Sequence, residues 1–401
     1  MAKLPSLKKM KNPRPGPQVC LLFAALLASA CPLPGRAAQP ALVVASDRSI
    51  RYDDTGNRFV LKQPDPGSLT LIGFDGGQPS VRHVPGVPVN FTGPPTCVAL
   101  HPSRPLALVA SSMRPVIVEG KPVHVMDTRV TLVRTDTGTL ADHATVGRQP
   151  ASVAFAPDGS LALVANRSDG TLSILELAGT DTAPALRERT RVALCEPGAL
   201  LSHIEISHDG KRALATLNGP GSEVLLLSLA KDGTPAIISR APAGEGSYVA
   251  RFAGEGRLAL VAAIRSDEII MFSTRNDTLR ETGRVNVGRI PEGLDVSRDG
   301  RWAVASCMGG FGITDIAHTE YGKAGAVYLL SNDGEAFAVA SRIQVEGGPQ
   351  FAVFTPGGDH VIVAGTGHRR LAFLRREGAR LIPTGMRIEV PGEPVACDRA
   401  R

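Results

Sequence analysis

The chain has 401 residues, of which 43 are Gly and 31 are Pro, while aromatic residues make up only 4%. So many helix-breaking residues exclude a fold built on long helices, and a hydrophobic fraction of 43% excludes disorder over most of the length. The net charge is +6, but residues 1–38 hold six basic and no acidic residues, so the rest of the chain is formally neutral. We therefore expect no nucleic-acid partner.

Residues 1–38 have the pattern of a signal peptide. A basic, Pro-rich start is followed by the 12-residue uncharged run Val19–Ala30, which as a helix spans about 18 Å and cannot cross a bilayer core of roughly 30 Å. The run ends in the small residues of an A-x-A cleavage site. We predict a periplasmic or secreted protein of residues 39–401, without a transmembrane segment after cleavage. Lipid attachment at Cys31 is the alternative.

The mature sequence is a repeat. In its clearest copy, strand Ser152–Ala156 meets the turn Asp158-Gly159, and strands Leu161–Ala165 and Thr171–Leu177 follow. The corresponding turn positions recur every 44 to 58 residues, at Ser103, Asp158, Asp209, Glu255, Asp299 and Gly357. About 50 residues with four antiparallel strands is typical of one β-propeller blade, whose two faces are buried by its neighbours.

Six complete copies leave the two chain ends unassigned. Gly392–Asp398 has the pattern of a first strand, and three N-terminal segments have the patterns of the second, third and fourth strands: Ala41–Ser46, Ser68–Phe74 and Ser80–Pro85. Joined, they complete a seventh blade and remove the open edges. We predict an all-β, seven-bladed propeller, four antiparallel strands per blade, closed by pairing of the C-terminal strand with the N-terminal strands, and a monomer.

Two motifs carry a family resemblance. Pro150-x-x-Val-Ala-Phe-x-Pro-Asp-Gly159 and Val164-Ala-Asn-x-x-Asp-Gly-Thr-Leu-Ser-Ile174 resemble the YVTN-repeat, lactonase-like seven-bladed propellers, over about residues 40–400. That family contains lactonases, cyclases, lyases and secreted propellers with binding roles only. The resemblance therefore implies the fold and leaves the function open.

Three long insertions are expected on one face of the ring, opposite the Asp-Gly turns: Asp47–Gly67, Met113–Val125 and Met308–Ala324. Loops of this length indicate a binding surface, which we call the top face. The third insertion is glycine-rich and carries polar candidates for ligand binding: Asp315, His318, Glu320 and Tyr321. His318 and Glu320 do not have the spacing of a metal site, so no metal is predicted.

The first strands of the blades line the central channel and supply further candidates. Aligned on Ala154, they place one ring of residues at a common level: Ala99, Ala154, Glu205, Arg251, Asp295, Val353 and Asp398. Glu205, Arg251 and Asp295 form either a reactive carboxylate–Arg–carboxylate cluster or salt bridges between blades. The catalytic candidates are His203, Glu205, Arg251 and Glu292, and the ligand-binding candidates here are Arg148, Tyr248, Arg289, Asp295 and Gln350. In lactone chemistry an Arg would polarise the carbonyl while a His or Glu directs water.

Four cysteines follow the leader: Cys97, Cys195, Cys307 and Cys397. Cys97 and Cys397 fall on first strands of neighbouring blades, where a disulfide would lock the ring closure. Buried thiols that act as small hydrophobic side chains are the alternative.

Three functions remain open from the sequence. The first is an exported propeller that binds a small molecule or a periplasmic protein on its top face without catalysis, because no cofactor motif, metal set or recognised nucleophile is present. The second is a lactone hydrolase, or a related lyase or cyclase, acting at the channel mouth. The third is a subunit of a periplasmic redox enzyme whose cofactor lies on another chain.

Overall fold

The computed structural model describes residues 39–400, apart from residues 54–55, 76–77, 90–91, 314 and 316. The predicted signal peptide of residues 1–38, with Cys31, lies outside the described residues. Within them, no helix has the length and apolar character needed to cross a membrane.

The described residues form 30 strands and one short 3₁₀ helix, Arg275–Asp277. In chain order the strands are β1 Leu42–Asp47, β2 Ile50–Tyr52, β3 Arg58–Val60, β4 Ser68–Asp75, β5 Gln78–Pro85, β6 Val98–Leu100, β7 Leu106–Val118, β8 Lys121–Arg134, β9 Thr139–Thr145, β10 Pro150–Phe155, β11 Leu161–Asn166, β12 Thr171–Gly179, β13 Pro184–Ala193, β14 Leu201–Ile206, β15 Arg212–Leu217, β16 Glu223–Leu229, β17 Pro235–Pro242, β18 Ser247–Ala253, β19 Leu258–Ala263, β20 Glu268–Ser273, β21 Arg280–Asn286, β22 Pro291–Val296, β23 Trp302–Cys307, β24 Ala326–Asn332, β25 Phe337–Gln344, β26 Ala352–Phe354, β27 His360–Gly365, β28 Arg370–Glu377, β29 Arg380–Glu389 and β30 Glu393–Arg399.

Seven four-stranded antiparallel sheets form the blades. Blades one to six are β6–β9, β10–β13, β14–β17, β18–β21, β22–β25 and β26–β29, and the split blade has the order β30-β1-β4-β5. The register of β30 on β1 runs from Arg399 opposite Leu42 to Glu393 opposite Asp47. The predicted seven blades and the predicted closure by the C-terminal strand are both confirmed.

Each blade begins as the repeat predicts. In blade two, β10 and β11 are buried along their whole length because other blades cover both faces of the sheet. The turn between them is set by Asp158, whose Oδ1 accepts hydrogen bonds from the backbone N–H (3.0 Å) and hydroxyl (2.8 Å) of Ser160. Gly159 has φ +73°, and a Cβ there would lie 2.3 Å from the His101 ring of blade one. This turn therefore requires glycine for its backbone and for its packing.

The three insertions all lie between the second and third strands of their blades, which places them on the predicted top face. We predicted a loop at Met113–Val125, and this prediction is wrong. The segment continues β7 and β8 as a two-stranded ribbon. The first insertion contains the hairpin β2–β3. It contacts both of the others, through Tyr52 against Phe311 (ring centroids 5.2 Å apart) and Ser49 Oγ with His124 Nε2 at 2.8 Å.

Arg399, at the end of the closing strand, ties the split blade to blades five and six. Its guanidinium contacts the Asp295 carboxylate, which is 6% exposed, and donates to the backbone oxygens of Val296 at 2.7 Å and Phe354 at 3.3 Å. The same carboxylate accepts the backbone N–H of Phe354 at 2.9 Å. Removal of the arginine would leave a buried carboxylate without its cation.

We expect Arg399→Ala to lower the free energy of unfolding by about 3 kcal/mol, because it leaves the buried carboxylate of Asp295 without a cation. Urea denaturation measures this loss. The double variant Arg399→Ala/Asp295→Asn should recover part of it. In the control Arg187→Ala, an ion pair whose arginine is 70% exposed is lost, and stability should stay within about 0.5 kcal/mol. Equal losses of unfolding free energy in Arg399→Ala and Arg187→Ala would contradict this role for Arg399.

Candidate functional site

The aligned inner-strand residues meet in the central channel. All seven residues of the predicted ring line one cavity of about 130 Å³: Ala99, Ala154, Glu205, Arg251, Asp295, Val353 and Asp398. Arg399, which is not among the residues predicted from the sequence, also lines this cavity. We call this level the lower ring.

The charged residues of the lower ring are engaged between blades. Glu205 Oε2 accepts the backbone N–H of Phe252 at 2.7 Å, and Arg251 Nε donates to the Leu294 oxygen at 3.0 Å. Arg251 lies 3.6 Å from Glu205, but Asp295 pairs with Arg399 rather than with Arg251. The expected carboxylate–Arg–carboxylate cluster is thus divided into two pairs. This geometry gives Glu205, Arg251 and Asp295 a structural role.

His203 is fully buried just above the lower ring. Its Nε2 lies 2.8 Å from the Ala250 oxygen, and its Nδ1 lies 3.1 Å from Thr96 Oγ1 and 3.3 Å from Ser152 Oγ. Burial, with the charge of Arg251, lowers the pKa of His203 well below its usual value. A neutral ring that donates from Nε2 and accepts at Nδ1 satisfies all these contacts. His203 therefore joins four blades, and neither of its nitrogens is available to act as a base.

A second level of side chains lies three residues nearer the top face, about 10 Å along the strands. Here the first strands carry β-bulges, between Ser247 and Ala250 in β18 and between Pro291 and Gly293 in β22. Bulges re-aim side chains, and they are common beside active sites. The bulged residues include Tyr248 and Glu292, two of the predicted site residues.

Glu292 contributes a carboxyl to this level. Burial raises the pKa of its carboxyl to about 7, although a hydrogen bond from Gln350 acts in the opposite direction. Its Oε2 is buried and has no hydrogen-bond partner among the described residues. A carboxyl with a pKa near neutrality and one oxygen unengaged can take up and release a proton.

Two tyrosines lie within range of the charge of this carboxyl. Burial, reinforced by the charge of Glu292, raises the pKa of both Tyr248 and Tyr52. Both are therefore neutral phenols that can donate hydrogen bonds. Tyr248 also hydrogen-bonds with the backbone of Gly93, and Tyr52 is delivered by the first insertion.

Arg167 supplies the cation at this level. It donates to Ser202 Oγ at 2.8 Å and to Asn218 Oδ1 at 3.3 Å, and its charge acts on Tyr248. Burial lowers the pKa of its guanidinium. Within the described part of the chain its hydrogen-bond partners are neutral, so this half-buried charge has no carboxylate hydrogen-bonded to it. We call Arg167, Tyr248, Glu292, Gln350 and Tyr52 the Glu292 cluster.

The other predicted ligand-binding residues lie outside the Glu292 cluster, and their part in ligand binding stays a prediction. Arg148 is exposed and pairs with Asp169 at 2.6 Å, and Arg289 donates to the Gly309 oxygen at 3.4 Å. In the third insertion, Asp315 accepts the N–H of Ala317 and His318 that of Glu320. Tyr321 is half-buried in that insertion. No group of three or more potential metal ligands occurs among the described residues.

Sequence reasoning selected three members of the Glu292 cluster and missed two. Tyr52 lies inside an insertion without a repeat to align it, and Arg167 follows β11 in a short top-face loop. The available signal for Arg167 was its place in the repeat, since the loop after every second strand ends at the top face.

Cys97 and Cys397 are both buried thiols in the structure, and burial raises the pKa of Cys397 well above its usual value. The disulfide between them stays a prediction.

Comparison with known proteins places the fold. No protein-family model and no curated protein matches the chain. Among solved structures, a provisionally assigned 6-phosphogluconolactonase from Bacteroides fragilis superposes with a TM-score of 0.64 at 16% identity, covering 92% of this chain and 100% of its own. A similar protein from Bacteroides uniformis gives 0.66 at 16%, covering 89% and 98%. The periplasmic gluconolactonase of Pseudomonas aeruginosa gives 0.65 at 18%, covering 90% and 98%. The chain thus has the seven-bladed fold of the lactonase-like β-propellers.

Proposed function

We propose that this protein is an exported hydrolase that opens lactones at the Glu292 cluster. The observation that carries the proposal is the buried Oε2 of Glu292, which has no hydrogen-bond partner among the described residues although its carboxyl titrates near pH 7. Burial of such a group is unfavourable for folding, so its position points to chemistry. The names of the similar structures, two provisionally assigned 6-phosphogluconolactonases and a gluconolactonase, support the same reaction class.

The cluster has the groups that lactone hydrolysis needs. Glu292 in its ionised form takes a proton from water, and the water oxygen bonds to the lactone carbonyl carbon. The neutral hydroxyl of Tyr248 donates to the oxygen on which negative charge develops. The ring C–O bond then breaks, and the ring oxygen receives the proton from Glu292. The product is a hydroxy acid, which releases one proton to solvent.

Arg167 suggests the kind of lactone. Its guanidinium keeps donors beyond those given to Ser202 and Asn218, and a carboxylate or phosphate on the substrate would supply the missing anion. We therefore propose a sugar-acid lactone that carries a second, acidic group away from its reacting carbonyl.

This proposal reverses the order of the functions that the sequence suggested. A propeller that only binds its ligand does not require a carboxyl held near its titration point. Among the sequence-derived catalytic candidates, the proposal retains Glu292 and replaces Glu205, Arg251 and His203, because these three are engaged between blades.

We expect Glu292→Gln to lower kcat for lactone opening at least 100-fold, because the amide cannot accept the proton from water. The wild-type rate should rise with pH to a plateau above about pH 7, following ionisation of Glu292. A pH-indicator assay, corrected for spontaneous hydrolysis, measures both. The matched control is Glu205→Gln in the lower ring, which should keep kcat within threefold. A larger loss in Glu205→Gln than in Glu292→Gln would overturn the assignment.

Glu292→Gln should also stabilise the fold at neutral pH. The pKa of this carboxyl is raised from 4.5 in the unfolded chain to about 7, so its ionisation opposes folding progressively between those values. At pH 8 the variant should exceed wild type by about 2–3 kcal/mol in unfolding free energy, and below pH 4.5 the difference should vanish. Urea denaturation across this pH range tests this without a substrate. Glu335→Gln, at an exposed position, is the control and should show no such trend.

Arg167→Met should raise KM for a lactone with a carboxylate or phosphate at least tenfold, because it removes a charge-assisted hydrogen bond. KM for a neutral lactone with the same ring should change less than threefold. The control Arg265→Gln removes a nearby but exposed arginine, which donates to the backbone oxygen of Asn218. If both lactones lose affinity equally, Arg167 does not bind the acidic group.

A further inference from the structure

Among the described residues, no further strand pairs with the edges of the ribbon, which runs from Met113 to its partner Met126 on the top face. Its two strands pair from Met113 opposite Met126 to Val118 opposite Lys121. At about 3.3 Å per residue the ribbon extends some 17–20 Å beyond the blade. The adjacent strands stop short of it, since the pairings of β6 reach only Val109 and those of β9 only Arg129.

The ribbon is apolar and exposed on both of its faces. Ile117 and Met126 are 57% and 49% exposed on one face, and Val118 and Val123 are 50% and 37% exposed on the other. Phe59, 49% exposed, lies on the neighbouring β2–β3 hairpin. Large exposed apolar groups of this kind are uncommon on soluble proteins unless they contact something.

The two-sided exposure distinguishes between possible partners. A globular protein would cover one face of the ribbon and leave the other in water, whereas the interface of a bilayer surrounds both. Pro115 and Pro122, one on each strand, lack the backbone N–H that an added β-strand would need. Strand addition by a partner or a second copy is therefore disfavoured along both edges.

The charges of the ribbon fit an anionic surface. Among the described residues, its exposed ionised side chains are Arg114, Lys121 and Glu119, and the β2–β3 hairpin and its flank add Arg58, Lys62 and Asp53. Cations beside apolar side chains bind anionic headgroups while the apolar groups enter the acyl boundary. Water at that depth still reaches the outer backbone groups of the ribbon.

We propose that the ribbon is a membrane-interface contact, whose tip inserts at headgroup level into an anionic bilayer. This inference does not depend on the proposed lactone chemistry. It orients the top face, and with it the Glu292 cluster, towards the lipid surface.

Tryptophan fluorescence locates the tip directly. The chain has one tryptophan, Trp302, so Ile117→Trp adds a single probe at the ribbon tip. Brominated lipids in vesicles of phosphatidylglycerol and phosphatidylcholine should quench the added emission at least twofold and shift it to the blue. The matched control Val339→Trp, at an outer-strand site 40% exposed, should remain unquenched. Absence of quenching in Ile117→Trp overturns the proposal, even if the N-terminal segment of residues 1–38 holds the protein on the vesicles.

Vesicle sedimentation tests the side chains. Ile117→Asp/Val118→Asp should reduce the fraction bound to anionic vesicles at least tenfold against wild type with the same N-terminus, while Val339→Asp should not. Binding of wild type should fall in 0.5 M salt and be weak on vesicles of phosphatidylcholine alone. Thermal unfolding checks that each variant remains folded. Equal binding of the double variant and wild type would refute lipid contact. A dimer or a protein complex that needs Ile117, formed without vesicle binding, would also refute it.

Discussion

Carboxylates of three first strands each accept a backbone N–H from the first strand of a neighbouring blade, and the ring depends on these contacts. The edge of a first strand faces the channel, where no further strand can satisfy its N–H groups. The donors and acceptors are Phe252 to Glu205, Phe354 to Asp295 and Leu100 to Asp398. Arg251 and Arg399 supply the compensating charge. The polar channel thus adds direct contacts between three of the seven pairs of neighbouring blades, beside the apolar packing of their faces.

This constraint decides which acids are available for chemistry. Glu205 accepts a backbone N–H and lies 3.6 Å from the Arg251 guanidinium, and Oδ2 of Asp295 accepts both a backbone N–H and a guanidinium donor. Protonation of either carboxylate would therefore weaken contacts between blades. Glu292 lies one level higher, in a bulge that removes it from the strand-to-strand contacts. It has only Gln350 to oppose the effect of burial on its pKa. Two levels of the same strands therefore perform different tasks, one structural and one suited to proton transfer.

The sequence predicted what local chemistry determines. Turn residues such as Asp158-Gly159 and the regular spacing of apolar strands depend on neighbours along the chain, so the blades and their closure could be derived. In the ribbon, Glu119 and Gly120 both take positive φ, as a tight hairpin turn requires. Glu-Gly is not among the dipeptides typical of such turns, so the sequence predicts a loop there. Tyr52 and the pairing of Arg399 with Asp295 could not be derived. They depend on which side chains from distant segments cross the channel.

The closing strand connects ring stability to the proposed site. At its lower end Arg399 clamps blades five and six, while at its upper end Glu393 Oε2 accepts the N–H of Gly367 at 2.8 Å. Glu393 also hydrogen-bonds with the backbone of Tyr52, the residue that the first insertion brings to Glu292. Tyr52 in turn packs on Phe311 of the third insertion. A chain that lost its last strand would therefore lose the support of Tyr52 as well as the seventh blade, so the Glu292 cluster is complete only in a closed ring.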